Sequence, residues 1–243
     1  MEVAQGIHRR TLGVANWYLV EDGGRLTVVD AGTPSDWHVL QGALVSLRKT
    51  LDDVDAIVLT HAHSDHTGFA EQARSEAGTP VYIHDADAEG AKGATPPKNQ
   101  AGFRRYLLRP EAYRTLIGLI RHKGTNIVPI AEVTTFADGE AIDVPGRPRV
   151  VHMPGHTAGS CALWFERRAV VCTGDSLVTR NPLTGRRGPQ IAPDGLNLDS
   201  DQALRSLTAL ARTGASTLLP GHGDPWTKGA GEAVRQARAA GRS

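Results

Sequence analysis

No stretch of these 243 residues approaches the roughly 20 consecutive apolar residues that a bilayer-spanning helix needs, so no spanning segment is expected. Aromatic residues make up only 5%, net charge is +1 and no long basic run occurs. That balance argues against a nucleic-acid groove, which is normally marked by a basic stripe. Only two cysteines are present, Cys161 and Cys172, too few for a disulfide framework. The opening residues, Met1-Glu2-Val3-Ala4-Gln5-Gly6, lack the basic and apolar regions of a secretory signal. The expectation is a cytoplasmic protein with reduced thiols, engaging neither nucleic acid nor membrane. What is present is ordinary for a globular chain, with 40% apolar and 22% charged residues. No repeat, low-complexity tract or linker interrupts it. Strand-like and helix-like segments alternate throughout, so a single α/β (α+β) domain over residues 1–243 is the economical reading.

Residues 16–20 and 25–30 are β-rich runs joined through Glu21-Asp22-Gly23-Gly24, a hairpin signal. Ser35 is a candidate N-cap, followed by Trp37, Leu40, Ala43, Leu44 and Leu47 at helical spacing. Strands are predicted at 54–59, 81–84, 133–136 and 149–153. A hairpin is predicted from 161–165 and 169–172, and a last strand at 217–219. Helices are predicted near 69–76, 199–212 and 228–240. The segment 85–130 changes character, with a break at Gly93-Ala94-Thr95-Pro96-Pro97 and two short amphipathic helices at 103–108 and 113–120. An insertion of this size reads as a lid or substrate wall, with packing against a neighbouring subunit as the alternative. Residues 177–198 read as a polar loop.

Chemistry concentrates in Thr60-His61-Ala62-His63-Ser64-Asp65-His66-Thr67-Gly68, directly after the apolar run Ala56-Ile57-Val58-Leu59. If the segment stays extended, His61, His63 and Asp65 share one face, while His66 comes from the following turn. Imidazole and carboxylate together suit zinc, iron or manganese better than calcium or magnesium. The same grammar, an apolar strand entering a Gly-containing turn that presents one His or Asp, recurs at Asp30, His156, Asp175 and His222. Glycine beside a ligand lets the backbone turn sharply or approach closely.

In order and spacing these residues resemble the metallo-β-lactamase superfamily of metal-dependent hydrolases. Its His-x-His-x-Asp-His signature, Gly-His-Thr turn, Asp after Gly and final His correspond to His61, His63, Asp65 and His66, then His156, Asp175 and His222. The resemblance implies a four-layer αββα sandwich with mixed sheets and the active site at one edge. It implies two Zn2+ per chain, with Fe or Mn as alternatives. The first metal would be held by His61, His63 and His156, the second by Asp65, His66 and His222, with Asp175 bridging. Asp30 would support the site from behind the ligands. A hydroxide between the metals would attack the carbonyl of a small ester, thioester or lactone. Asp65 and Asp175 are then the catalytic carboxylates, and no Ser or Cys nucleophile is required.

Several branches of that superfamily fit less well. Exported β-lactamases carry a signal, and several have a cysteine at the position of Asp175. Acyl-homoserine lactonases carry a tyrosine where Val178 stands. A basic C-terminal thiol-binding region and an RNA clamp are both missing. The rival readings are a mononuclear iron persulfide dioxygenase, which uses only part of the ligand set, and a metal-binding module without turnover. Cys161 and Cys172 read as small buried hydrophobes, and His84 and His152 as core or supporting histidines. His8, His38 and His122 read as solvated, and Ser160 and Ser176 lack an evident base. Thr157, Tyr106, Phe103 and Trp226 are candidate pocket residues, with plain packing as the alternative.

Overall fold

Period-two alternation in the strands sends neighbouring side chains into different cores, and that sorting builds the layers. The computed structural model describes residues 1–95, 99 and 103–242, with Phe103 described by its backbone alone. One sheet holds, in spatial order, β1 (Glu2–Ala4), β2 (Ile7–Thr11), β3 (Asn16–Asp22), β4 (Arg25–Val29), β5 (Val54–Val58), β6 (Val81–His84) and β7 (Thr134–Phe136). Its first four strands pair antiparallel and its last four parallel. Next along the chain come β8 (Arg149–His152), β9 (Cys161–Phe165), β10 (Val170–Gly174), the small hairpin β11 (Val178–Arg180) and β12 (Arg187–Gln190), and β13 (Thr217–Pro220). The second sheet runs β13-β10-β9-β8, parallel at β10–β13 and antiparallel elsewhere.

In β3, Trp17 and Leu19 point outward onto the helices α1 (Trp37–Ser46) and α2 (Ala70–Ala77), while Tyr18 and Val20 point inward between the sheets. Helix α1 answers with Trp37, Leu40, Ala43 and Leu44 at helical spacing. The inner core joins Val29, Ala56 and Val58 to Cys161, Leu163, Phe165, Val170, Cys172 and Leu219. Beyond the second sheet, Ala162, Val171 and Leu218 meet Leu207 and Leu210 of a C-terminal helix pair. The remaining helices are α3 (Ala88–Ala91), α4 (Pro110–Arg121) and that pair, α5 (Ser200–Arg212) and α6 (Ala230–Ala240). Ala230, Ala233, Val234 and Ala237 keep the buried face of α6 small and smooth. The order helix, sheet, sheet, helix is the expected αββα sandwich.

Strand direction places the site. The parallel pairs β4–β5 and β10–β13 end side by side, and β8 runs the same way as β10 because both oppose β9. Every strand that precedes a candidate ligand therefore delivers it to one edge of the sandwich. Bonds between the two halves close that edge. Cys161 N–H donates to Thr60 O (3.0 Å), Asn16 N–H to Gly221 O (2.7 Å) and Tyr18 O–H to Pro220 O (2.7 Å).

Three local readings change. The turn before α1 is closed by Thr33 and Asp36 rather than Ser35: the Asp36 carboxylate accepts from Thr33 N–H (2.9 Å) and Oγ1–H (2.7 Å). Residues 177–198 contain the β11–β12 hairpin, and residues 2–11 contain β1 and β2. The strands around His8 and Arg187 are edge ribbons with polar side chains, so they carry little of the apolar alternation by which a strand is recognised. In the insertion, residues 103–106 form a 3₁₀ turn and α4 spans the second predicted helix. Pro96 and Pro97 of the predicted break lie outside the described residues.

Phe69 closes the histidine loop onto the outer core. It is fully buried and meets Trp17 edge-on, with ring centroids 5.2 Å apart, and Trp37 at 6.2 Å. Phe69→Ala should cost about 3–5 kcal/mol of unfolding free energy, read as a lower denaturant midpoint at unchanged slope. An effect under about 1 kcal/mol would show that the ring adds little to this core.

Candidate metal centre

Four turns at the shared edge bring the seven predicted residues together. His61 Nε2 lies 3.1 Å from His63 Nδ1, and His156 Nε2 lies 2.9 Å from the same atom. On the other side, His222 Nε2 is 3.5 Å from Asp65 Oδ2 and 3.1 Å from Asp175 Oδ2. Asp175 stands between the groups, with Oδ1 3.5 Å from His66 Nε2 and Oδ2 3.6 Å from His156 Nε2. Ligand atoms within 4.8 Å of one another define three sets: His61, His63 and His156; His61, His66 and Asp175; and Asp65, His66 and His222. The shared-face reading holds for His61 and His63. Asp65 is turned away by the bend at residues 64–66 and joins His66 and His222 instead.

Close approach at this edge requires glycine. A Cβ at Gly221 would stand 2.2 Å from Asp175 Oδ1, and one at Gly174, where φ is +47°, would stand 2.3 Å from Thr60 Oγ1.

The outer hydrogen bonds assign the tautomers. Asn197 uses both amide hydrogens on Ala192 O (2.7 Å) and Ser200 Oγ (2.9 Å), so its Oδ1 accepts from His156 Nδ1–H at 3.0 Å. The Val14 carbonyl accepts from His222 Nδ1–H at 3.0 Å. Asp30, held at φ +61°, accepts Thr60 N–H (2.8 Å) and Oγ1–H and also His66 Nδ1–H (2.9 Å). With its hydrogen given to Asp30, Thr60 Oγ1 accepts from His61 Nδ1–H at 3.0 Å. Four imidazoles therefore carry an Nδ1 hydrogen outward and turn Nε2 into the site. His66 Nε2 and Asp175 Oδ1 are buried with no hydrogen-bond partner among the described residues.

Electrostatics follow from who faces whom. Burial, reinforced by neighbouring imidazoles, pushes His61 well below the ordinary histidine range and His156 down to about 4. Burial opposes charge on His66 too, but Asp175, Asp30 and Asp65 outweigh it and raise His66 to about 10. Burial likewise works against His222, and Asp175 wins, raising it. For Asp175, burial would raise the carboxyl, yet His222 and His66 hold it well below the usual carboxylate range. In the metal-free chain the carboxylate side thus attracts positive charge and the imidazole side rejects protons. Converging lone pairs that proton repulsion keeps bare, beside an ionised carboxylate, are a donor set for a metal cation.

A cavity of 520 Å³ opens onto this cluster, lined by His63, Asp65, His156, Asp175 and His222. Its apolar wall comes from Leu116 and Leu119 of α4 together with Ile127, Leu183 and Leu196. Among the candidate pocket residues, Thr157 donates to Asp87 (2.7 Å) beside a smaller cleft. Tyr106 is buried and does not line the cavity, and Trp226 packs on the far core with Nε1–H on Gly229 O. The side chain of Phe103 lies outside the described residues. His84 and His152 stack on each other (centroids 4.1 Å, interplanar 12°) away from the ligand sets. Cys161 and Cys172 are buried, and burial pushes both thiols up. Asn197, Thr60, the Val14 carbonyl and Asp87, which anchors the His156 turn through Gly159 N–H (2.7 Å), carry no motif. The one usable signal was Thr60, next to the cluster.

Residues 10–222 match the sequence model of the metallo-beta-lactamase superfamily. The chain is 26% identical over 242 residues to the probable metallo-hydrolase YflN of Bacillus subtilis, covering 93% of this chain and 87% of that protein. Among solved structures it resembles the metallo-beta-lactamase family protein TTHA1429 from Thermus thermophilus. That match has a TM-score of 0.72 and 24% identity over 98% of this chain and 80% of the other. It also resembles TTHA1623, solved in a di-iron-bound form. There the TM-score is 0.64 and the identity 25%, over 95% of this chain and 97% of the other.

Proposed function

This chain belongs to the metallo-β-lactamase superfamily, and from that premise we propose that it is a dinuclear metal-dependent hydrolase of small esters, thioesters or lactones. One observation carries the reading: the Nε2 atoms of His61, His66, His156 and His222 converge on the Asp175 carboxylate, and His66 Nε2 and Asp175 Oδ1 are buried there with no hydrogen-bond partner among the described residues. His61, His63 and His156 would hold one cation, Asp65, His66 and His222 the other, and Asp175 would touch both. Nitrogen and oxygen donors in this mixture suit zinc first, and iron second, the metal described in TTHA1623. Bound there, a metal pair supplies Lewis acidity and an activated water.

The chain's own groups supply the rest. Asp65 lines the cavity with 17% of its side chain exposed, so its Oδ atoms can hold the proton that an attacking water gives up. Asp175, at 4%, is enclosed by imidazoles and serves to fix their positions. Leu116, Leu119, Ile127, Leu183 and Leu196 exclude water and seat an apolar acyl or ring portion of the substrate. The two unpaired buried thiols suit a reducing compartment, which supports a cytoplasmic location.

Purified protein should contain close to two zinc per chain and hydrolyse members of a panel of p-nitrophenyl esters, thioesters and lactones. One iron per chain with oxygen uptake on a persulfide would overturn the reading. Metal without turnover on any panel member would favour a binding module.

Behind the ligands, Asp30 orients His66 and, through Thr60, His61. Asp30→Asn should weaken metal binding by about 10–100-fold while leaving the ligand count intact. Competition against a chromogenic chelator measures it, and unchanged affinity would remove Asp30 from the site's support.

A further inference from the structure

We infer that the solvent face of α4, with the arginines around it, is a docking surface for an anionic lipid bilayer. Helix α4 contributes no buried residue. Tyr113, Leu116, Ile117 and Ile120 follow the i, i+3, i+4, i+7 spacing of a single stripe, and they stand 52%, 48%, 62% and 60% exposed. Among the described residues, eight large apolar side chains are exposed, and six of them fall between residues 107 and 120. Water-facing apolar surface concentrated in one short segment marks a contact site rather than ordinary scatter.

Charge identifies the partner. Between residues 103 and 123 stand Arg104, Arg105, Arg109, Arg114, Arg121 and Lys123, against Glu111 alone. That segment carries +5 in a chain of net +1, so the remainder sums to −4. Arg105 pairs with Asp194, and Arg114 with Glu111 at 3.3 Å. Arg104, Arg109, Arg121 and Lys123 make no ion pair among the described residues. An apolar stripe bordered by unneutralised cations matches the boundary between acyl chains and anionic headgroups. A second copy of the chain fits poorly, because a two-fold contact would press the +5 cluster against itself. No helix of the described residues is long and apolar enough to cross a membrane, and docking on a surface needs none. Leu116 belongs both to the stripe and to the cavity wall, so docking would turn the cavity mouth toward the lipid.

The test is co-sedimentation of the whole chain with vesicles of roughly 70% phosphatidylcholine and 30% phosphatidylglycerol, against pure phosphatidylcholine, with gel filtration alongside. Anionic vesicles should bind at least about tenfold more protein and release it at high salt. Arg109→Gln and Arg121→Gln should each weaken binding about fivefold, the ratio for one basic residue at an anionic surface. Ile117→Asp with Ile120→Asp should lower it by more than about tenfold. Both side chains are more than half exposed and outside the cavity wall, so the fold should tolerate the change. Asp175→Asn should bind vesicles like the parent chain, which separates docking from catalysis. Equal partition into both vesicle types overturns the inference, as does undiminished binding by the double isoleucine variant. A dimer that the isoleucine changes dissolve, without vesicle binding, overturns it and reassigns the stripe to self-association. Capture of an acidic protein without vesicle binding also overturns it.

Discussion

Asp175→Asn should reduce turnover on any substrate the parent hydrolyses by about a thousandfold or more, equivalent to about 4 kcal/mol of transition-state stabilisation. Metal content should fall from about two per chain to one or fewer. Among the described residues, this carboxylate is the sole acidic group within 3.6 Å of ligand nitrogens on both sides, His156 on one and His66 and His222 on the other. Asparagine keeps the shape but removes the charge and replaces one oxygen with a donor. That donor faces imidazole nitrogens already committed inward. The fold should survive, because the inner core beneath the turn, Cys172 and Leu219, is untouched. A folded chain that has lost metal and turnover, and with the metal its share of the melting temperature, is therefore the expected combination. A variant that keeps two metals and at least roughly a tenth of the activity would sink the bridging role.

Metal binding should expel protons, and the gap in melting temperature between metal-bound and metal-stripped protein should widen as pH rises from about 6.5 to about 10. In the metal-free chain the carboxylates raise His66 to about 10, above its unfolded value near 6.5. A raised folded value stabilises the metal-free fold fully below about pH 6.5 and loses that contribution as pH climbs through about 10. His222, also raised, acts in the same direction. A cation replaces those protons, so the metal-bound fold does not lose this contribution. Calorimetric titration in buffers of different ionisation enthalpy should register net proton release near about pH 7.5, with affinity rising about tenfold per pH unit for each proton expelled. At roughly a hundredfold excess over Kd, metal adds about 2.7 kcal/mol, or roughly 5–10 °C for a chain of this size. A gap that narrows with pH, or metal uptake without proton release, would contradict the charge arrangement.

The pH argument depends on which nitrogen of each ring faces inward, and here sequence and structure part company. Strand runs ending in Gly-flanked His or Asp were legible because apolar alternation stops abruptly where a ligand begins, as at Leu59 and Cys172. The β1–β2 and β11–β12 ribbons were not legible, since these short, largely polar strands carry too little apolar alternation to imprint a pattern. An extended reading puts Asp65 on the wrong face because the chain turns over residues 64–66, where the N–H groups of His66 and Thr67 both bond to His63 O, and period-two alternation ends where a turn begins. The predicted helix at 113–120 exists, but its two apolar sides serve different purposes. Leu119 walls the cavity, whereas Ile117 and Ile120 face solvent. Hydrophobic periodicity reports only that a residue is apolar, not what it meets.

Amino-acid order alone determined the layered α/β architecture, the inventory of ligand-capable residues and their arrival at strand ends, because burial and turn chemistry act over a few neighbouring residues. The family resemblance already implied how those residues divide into two groups around Asp175; only the tertiary structure decided which imidazole nitrogens face the site. The hydrogen bonds that make that decision reach across the fold, from His156 to Asn197 and from His222 to the carbonyl of Val14. A backbone carbonyl is common to every residue, so its partner can be read only once the chain has closed on itself.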